Sequence, residues 1–271
     1  MGFLGKKLAV AIPDTILEKR DSLREKTVKL GLIARACSIY GVDVIQIFAD
    51  RRGRGEAALV KKVLEYLETP QYLRRRLYPI DETLRFAGLL PPLRIPSHKP
   101  RVQIYALLVG EIREGVANGD GSVDVGLDKA PRLTNSAGKN RRVTVRIASK
   151  NPLEAEVVTR REASSYWGYS VEMEKLEGVF ADSRFTVKVA TSRLGAPFGR
   201  ESQKLKAALH DSTGVKLIFG SPSRGLFDQV GPDLARKADF VLNLFAEQHV
   251  ESVRTEEAIF AGLSLVTILF T

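Results

Sequence analysis

The chain has one cysteine, Cys37, and three histidines among its 271 residues. A single cysteine excludes a disulfide within the chain and is typical of a cytoplasmic protein, whose thiols stay reduced. Cys37 falls on the apolar side of a predicted helix, where cysteine packs as a small hydrophobe. Because the histidines, His98, His210 and His249, lack neighbours at metal-ligand spacing, the sequence predicts no metal site.

Long apolar runs are also missing. No stretch of about eighteen apolar residues could form a transmembrane helix, and residues 1–7 lack the apolar core of a secretory signal. Neither a P-loop nor a Gly-x-Gly-x-x-Gly sequence follows a predicted strand, which excludes the common motifs for nucleoside triphosphates and dinucleotides. We therefore expect a cytoplasmic protein with no membrane partner.

Basic residues outnumber acidic ones, 42 to 32, for a net charge of +10. Residues 1–92 hold 17 basic and 11 acidic residues, 93–165 hold 13 and 8, and 166–271 hold 12 and 13. The positive excess therefore lies in the first two segments. Binding to a polyanion such as nucleic acid explains this placement; a solvated, charge-rich surface like that of thermophile proteins is the alternative.

The predicted secondary structure changes from α/β to all-β and back along the chain. Residues 8–12 and 42–48 predict buried strands, and the patterns over 17–40 and 54–67 predict helices. This strand–helix order indicates a parallel sheet. A proline-rich linker at 91–100 leads into short strands at 102–109, 122–126, 141–147 and 155–159, which are typical of a small barrel. Beyond 165 the α/β pattern returns, with strands at 185–190, 215–219 and 240–245.

Three of the predicted strands run into segments suited to holding a ligand. The segments are 191–197, the glycine-bracketed 220–226, and 250–257 before an apolar helix over 254–270. Loops at the carboxyl ends of neighbouring parallel strands form the crevice in which α/β sheets bind ligands. Taken alone, the Gly-Ser-Pro-Ser-Arg-Gly sequence also fits an ordinary turn.

These segments carry a family resemblance. The sequences 218–226 (IFGSPSRGL) and 241–266 (VLNLF…ESVRTEEAIFAGLSLV) resemble the second and third motifs of the SPOUT superfamily of RNA methyltransferases, and 22–36 with 40–48 resembles the first. Segments 65–74 and 84–93 resemble the archaeal and eukaryotic branch, in which an oligonucleotide-binding barrel interrupts the knotted domain. The resemblance extends over nearly the whole chain.

The resemblance implies an α/β fold: a SPOUT-like trefoil-knotted parallel sheet flanked by helices, interrupted by a small all-β, OB-like barrel. Residues 1–92 and 166–271 would form the discontinuous methyltransferase domain, and 93–165 the RNA-binding barrel. The implied cofactor is S-adenosylmethionine. The residues that would border it are Thr191, Ser192, Gly220, Ser221, Arg224, Gly225, Leu226, Leu242, Asn243, Val253, Arg254 and Thr255.

Methyl transfer needs an aligned nucleophile more than covalent help, and a guanidinium can fork onto phosphate or a base edge. Arg35 stands where the first motif has an arginine, so the resemblance implies a catalytic or phosphate-positioning role for it; Arg24 and Arg254 are further catalytic candidates. For Arg24 and Arg35 the alternative is a surface salt bridge on the helix. The acidic residues within reach would be Glu18, Asp21 and Glu25.

The barrel is the predicted RNA-binding part. Because Tyr105 is the only aromatic residue within 100–165, shape and phosphate recognition are favoured over base stacking. The basic residues proposed for RNA are Arg101, Arg113, Lys139, Arg141, Arg142 and Arg146. The leading hypothesis is a homodimeric, S-adenosylmethionine-dependent methyltransferase acting on a base nitrogen of ribosomal RNA. Its rival is a non-catalytic RNA-binding factor for ribosome assembly.

Overall fold

A computed structural model of the chain describes residues 5–50 and 55–270, which divide into two compact units. The α/β unit comprises the described residues up to 67, with 82–93 and 169–270. The β unit comprises 68–81 and 94–168, so the segment 68–81 joins the β unit and not the α/β domain predicted over 1–92. The predicted domain ranges also include residues outside the described part of the chain: 1–4, 51–54 and 271. One of these is Arg54, the predicted start of a helix.

The α/β unit is built on six parallel strands in the order β11-β9-β10-β1-β2-β8. This confirms the prediction of an α/β fold with a parallel sheet. The strands are β1 (Lys7–Pro13), β2 (Val44–Phe48), β8 (Ser170–Glu174), β9 (Val187–Pro197), β10 (Gly214–Ile218) and β11 (Phe240–Asn243). The helices are α1 (Leu23–Ile39), α2 (Ala57–Glu68), α4 (Leu176–Ala181), α5 (Phe198–Asp211), α6 (Leu226–Val230), α7 (Leu234–Lys237) and α8 (Thr255–Leu269).

Helix α1 starts later than the predicted residue 17 because Ser22 caps it. The Ser22 hydroxyl accepts a hydrogen bond from the Glu25 amide at 3.3 Å, and the Glu25 carboxylate accepts one from the Ser22 amide at 2.7 Å. This reciprocal capping box satisfies two amides that the first turn leaves unpaired. Cys37 lies on the buried side of the helix, and burial raises the pKa of its thiol.

The β unit holds a five-stranded mixed sheet in the order β4-β3-β6-β7-β5, together with α3 (Gln71–Leu77). A bridge between Ser122 and Arg132 joins the two outer strands, so the sheet is nearly closed. The strands are β3 (Ile112–Ala117), β4 (Val123–Asp124), β5 (Arg132–Leu133), β6 (Arg142–Lys150) and β7 (Leu153–Val158). Their inward side chains form the core of this unit.

The predicted strand over 102–109 is wrong. Only Val102 makes a bridge, to Leu127, and the first strand of the sheet begins at Ile112. Leu108 and Val109 are exposed, and Gly110 turns the chain at a φ of 86°. Within the apolar run 104–109 only Leu107 packs into the core of this unit, and the run as a whole is surface chain rather than a strand. No helix in the described part of the protein is long and apolar enough to span a bilayer.

Candidate functional site

A cavity of about 390 Å³ lies in the α/β unit at the carboxyl ends of three adjacent strands, β9, β10 and β11. Its walls come from residues 191–194, from the segment 219–225 after β10, and from the chain between β11 and α8. Parallel strands place their carboxyl ends on one edge of a sheet, which is why segments so far apart in sequence meet here.

The first wall forms because β9 leaves its ladder with β11. Ala190 pairs with Val241 and Ala196 pairs with Leu242, so residues 191–195 have no ladder partners on β11. The segment 191–197, expected to be a loop after the strand, is thus a bulged part of the strand itself. The Thr191 hydroxyl donates to the Ile218 carbonyl at 3.1 Å, which ties the bulge to the end of β10.

The second wall is a tight turn from Ser221 to Arg224. The Ser221 amide donates to the Arg224 carbonyl at 2.9 Å, and the Arg224 amide donates to the Ser221 hydroxyl at 3.1 Å. A Cβ at Gly220 would lie 3.0 Å from the Arg224 carbonyl oxygen and 3.1 Å from the Gly225 Cα. Glycine therefore allows the turn to fold back on the strand end, and it leaves the backbone open to the cavity.

Asp50, two residues beyond β2, anchors this turn. Its carboxylate is 3% exposed and accepts from an Arg224 guanidinium NH. It also accepts from the Thr15 hydroxyl at 3.2 Å and from the Gln229 amide at 3.3 Å. Sequence reasoning missed Asp50, although its position just past a buried strand marks it for the same sheet edge as the ligand loops.

The lining combines three rings with small polar groups. The rings are those of Phe219, Phe227 and Phe245, and the polar groups are hydroxyls of Thr and Ser together with Asn243 and Glu251. The Asn243 amide donates to the Arg193 carbonyl at 3.2 Å and its oxygen accepts from the Phe245 amide at 2.9 Å, so it joins two walls. Such a cavity suits a ligand with one flat apolar part and one polar part.

Comparison with known proteins identifies the family. Residues 7–266 match the family model described as "Putative RNA methyltransferase". The chain belongs to this RNA methyltransferase family. It is 31% identical over 287 residues to an uncharacterized protein of Halobacterium salinarum, covering 96% of this chain and 98% of that protein.

Two further relatives have named activities. The chain is 32% identical over 300 residues to a 28S rRNA (uridine-N(3))-methyltransferase of Mus musculus, covering 95% of this chain and 75% of that protein. It is 31% identical over 303 residues to the Homo sapiens protein of the same name, covering 95% and 77%. Both support the prediction of a methyltransferase enzyme.

Nine of the twelve residues that the resemblance assigned to the cofactor line the cavity of this methyltransferase. The other three do not: Leu226 and Leu242 are buried in the core, and Arg254 is exposed at the start of α8, where its amide donates to the Glu257 carboxylate at 2.9 Å. Cavity residues that sequence reasoning did not name include Arg193, Leu194 and the three phenylalanines. The roles of all these residues stay predictions.

The predicted catalytic arginines lie outside the cavity lining. Arg35 is half-buried and donates to the Pro92 and Leu93 carbonyls at 3.2 and 3.0 Å. Arg24 is exposed and makes no ion pair with the described residues. The alternative, in which Arg24 and Arg35 form salt bridges with acidic residues of the helix, is not observed among the described residues. Glu18 and Asp21 pair with Lys29 instead.

In the β unit the structure contradicts one predicted RNA contact. The Arg113 side chain is 1% exposed, donates to the Val125 carbonyl at 2.9 Å and pairs with Glu111 at 2.9 Å, so it stabilises the interior. Arg146 pairs with Glu156 and Glu162. Only three of the predicted cations are exposed and make no ion pair within the described part of this unit: Arg101, Lys139 and Arg141.

Arg142, another predicted RNA contact, belongs to a buried polar network. It donates to Glu114 at 2.7 Å and to Glu68 at 2.6 Å. Glu114 also accepts from the Thr144 hydroxyl and the Trp167 indole NH, each at 2.7 Å. Burial raises the pKa of the Glu114 carboxyl, but the nearby arginines and these donors prevail, so the net pKa is lowered.

Among the described residues, no group of three or more His, Cys, Asp or Glu side chains could hold a metal ion. The His98 ring is held by a hydrogen bond, in which its Nε2 donates to the Glu68 carbonyl at 2.9 Å. Burial lowers the pKa of His98 to about 4.

Proposed function

We propose that this enzyme is a SPOUT-type, S-adenosylmethionine-dependent methyltransferase that modifies ribosomal RNA at a base nitrogen, with uridine N3 as the favoured atom. The observation that carries the proposal is the cavity itself. Two of its walls, 219–225 and the lining residues within 243–255, belong to sequences that resemble the second and third motifs of that superfamily, and the third wall, 191–194, is where the resemblance implies a further cofactor loop. The atom is suggested by the mouse and human relatives, which are named as 28S rRNA uridine-N3 methyltransferases.

The residues present fit such a methyl donor. Phe219 and Phe245 offer apolar surface for a purine ring, and the open backbone at Gly220 and Gly225 offers amides and carbonyls without side chains in the way. Asn243 and the Ser221 hydroxyl supply polar contacts of the kind a ribose requires. When bound, S-adenosylmethionine would supply a methyl group activated by its sulfonium.

The protein's share of the chemistry is positioning. Transfer to uridine N3 would form an N–CH3 bond, break the C–S bond of the donor and release the N3 proton to solvent. The turn 221–224 and the bulge 191–195 would fix the donor. Arg35 and Arg24 would orient the RNA through forked contacts to phosphate or a base edge.

The proposal includes a homodimer and a knotted chain, both implied by the resemblance. Support for the dimer comes from α1, where Val28, Leu32 and Ile39 are exposed at helical spacing. Helix α1 packs on α8, which also carries an exposed apolar residue, Ile268. Light scattering should report a dimer, and Leu32→Glu should shift it to monomer while Ile80→Glu, at an exposed residue of the β unit, should not.

Calorimetric titration with S-adenosylmethionine tests the proposal. Micromolar binding by the wild-type protein is expected, with loss of binding in Gly220→Val, because the added side chain would press on the backbone of the ligand turn. Gly199→Val is the matched control, since nothing lies within 4 Å of a Cβ at that position. A folded wild-type protein that binds no donor would favour the non-catalytic factor instead.

A further inference from the structure

A second cavity, of about 380 Å³, lies in the β unit and is unexplained by the methyl-donor site. Two loops form it: 118–121, between β3 and β4, and 133–139, between β5 and β6. Its size falls within the range of small-molecule sites, about 300–1,000 Å³. Its walls carry amide and hydroxyl groups from Asn118, Thr134, Asn135 and Ser136.

The charge of the cavity lining is positive, because Asp120 in the first loop is outside the lining and its carboxylate accepts hydrogen bonds from Ser122. Lys139 is the only charged residue in its lining, it is exposed, and it makes no ion pair with any described residue. A Cβ at Gly119 would lie 3.0 Å from the Lys139 Cδ. The aliphatic part of the lysine therefore packs against the Gly119 backbone, where there is no side chain. The cavity therefore suits a polar, anionic ligand.

The walls are held by hydrogen bonds, so the cavity is formed before a ligand arrives. The Arg76 guanidinium donates to the Asn118 side chain at 2.6 Å and to the Asn140 side chain at 3.1 Å, which links the start of the first loop and the residue after the second loop to α3. On the other side, the Asn135 side chain exchanges two hydrogen bonds with the backbone of Val157, at 3.1 and 2.7 Å. Preorganisation of this kind lowers the entropic cost of binding.

We propose that this cavity binds the sugar–phosphate backbone of one nucleotide of single-stranded RNA, with Lys139 contacting the phosphate. The lining contains no aromatic ring, which excludes base stacking as the source of affinity. The Thr134 hydroxyl donates to the Ala155 carbonyl and keeps its capacity to accept, so Thr134 and Ser136 match a ribose with its 2′-OH. Arg141, exposed two residues further on, would contact the neighbouring phosphate. The inference rests on the proposed RNA substrate.

Fluorescence anisotropy with a short, labelled single-stranded RNA tests this site in the full-length protein. A salt series between about 50 and 200 mM gives the slope of log K against log salt, whose magnitude is about 0.7 for each phosphate that the protein neutralises on a single strand. Lys139→Gln should reduce the magnitude of the slope by that amount. Ala137→Phe keeps the charge and fills the cavity, so it should weaken binding several-fold.

Lys129→Gln is the matched control, because Lys129 is also exposed on the β unit and lies outside the cavity lining. Equal slopes for the Lys129 and Lys139 variants, or wild-type affinity in Ala137→Phe, would overturn the site. Titration of S-adenosylmethionine into the same samples separates the two proposals: donor binding without any RNA binding overturns this inference and leaves the methyl-donor cavity standing.

Discussion

Replacing Asp50 with asparagine tests how the ligand turn of the methyltransferase is held. Asp50 is the buried acceptor for Arg224, Thr15 and Gln229, and Arg224 belongs to the cavity wall. Asparagine keeps the shape of the side chain and one acceptor oxygen. It removes the charge that draws the guanidinium away from solvent, so the change isolates the ion pair from the packing around it.

The magnitude follows from burial. The Asp50 side chain is 3% exposed and that of Arg224 is 23% exposed, so solvent screens the pair only in part. Hydrogen bonds to charged groups contribute about 1.5–3 kcal/mol, and we expect the substitution to cost about 2 kcal/mol of unfolding free energy. Part of that loss falls on the turn 221–224, so affinity for S-adenosylmethionine should weaken about tenfold, equivalent to about 1.4 kcal/mol.

Two measurements check this prediction on the same samples: urea denaturation and calorimetric titration with the donor. Asp233→Asn is the matched control, because Asp233 pairs with Arg236 at the surface and such pairs contribute little. Wild-type stability together with wild-type affinity in Asp50→Asn would refute the anchoring role. A loss of stability without a loss of affinity would show that the turn keeps its shape without the ion pair.

Three further outcomes are expected. Glu114→Gln should destabilise the β unit by about 3 kcal/mol, since it leaves Arg142 short of a buried partner; fluorescence of Trp167, the single tryptophan and a donor to Glu114, reports it. For His98, the folded-state pKa of about 4 lies below the unfolded value of 6.5, so the unfolded state takes up the proton first as pH falls. Stability should therefore drop between pH 6.5 and 4, by at most about 3 kcal/mol from this residue, and denaturation of His98→Gln across that range should show a shallower decline. Arg35→Ala should abolish methyl transfer to RNA while the donor affinity stays within about twofold, and unchanged transfer in a radioactive methyl assay would remove its catalytic role.

Much of the sheet edge could be predicted from the sequence because strand identity depends on local pattern. The runs that became β1, β2 and β10 are apolar and β-branched, and glycine at 220 and 225 marks a backbone that must approach something closely. The position of a ligand crevice follows from parallel pairing alone. These local signals are the reason that the segments after the three predicted strands, 191–197, 220–226 and 250–257, were expected to meet.

What could not be predicted depends on partners far away in sequence. The run 102–109 has strand composition, yet its leucine and valine side chains at 108 and 109 are exposed, since the sheet takes up 112–117 instead. Within 112–117, Gly115 lets β4 pack closely: a Cβ there would lie 2.7 Å from a Val123 methyl. The bulge at 191–195 depends on the register between β9 and β11, which no local pattern encodes. The anchoring of Arg224 by Asp50 likewise joins residues 174 positions apart.

Partners distant in sequence also determine which basic residues of the β unit are available to bind RNA. Arg113, Arg142 and Arg146 contribute to the positive charge of the β unit, yet each is bound to carboxylates that balance it locally. Counterion release requires cations that are free to meet phosphate, so net charge overstates the RNA-binding capacity of this unit. Lys139 and Arg141 meet the requirement, and they lie at the end of a loop that also forms a cavity. Salt dependence of binding should therefore follow the unpaired cations of the β unit and not its total charge.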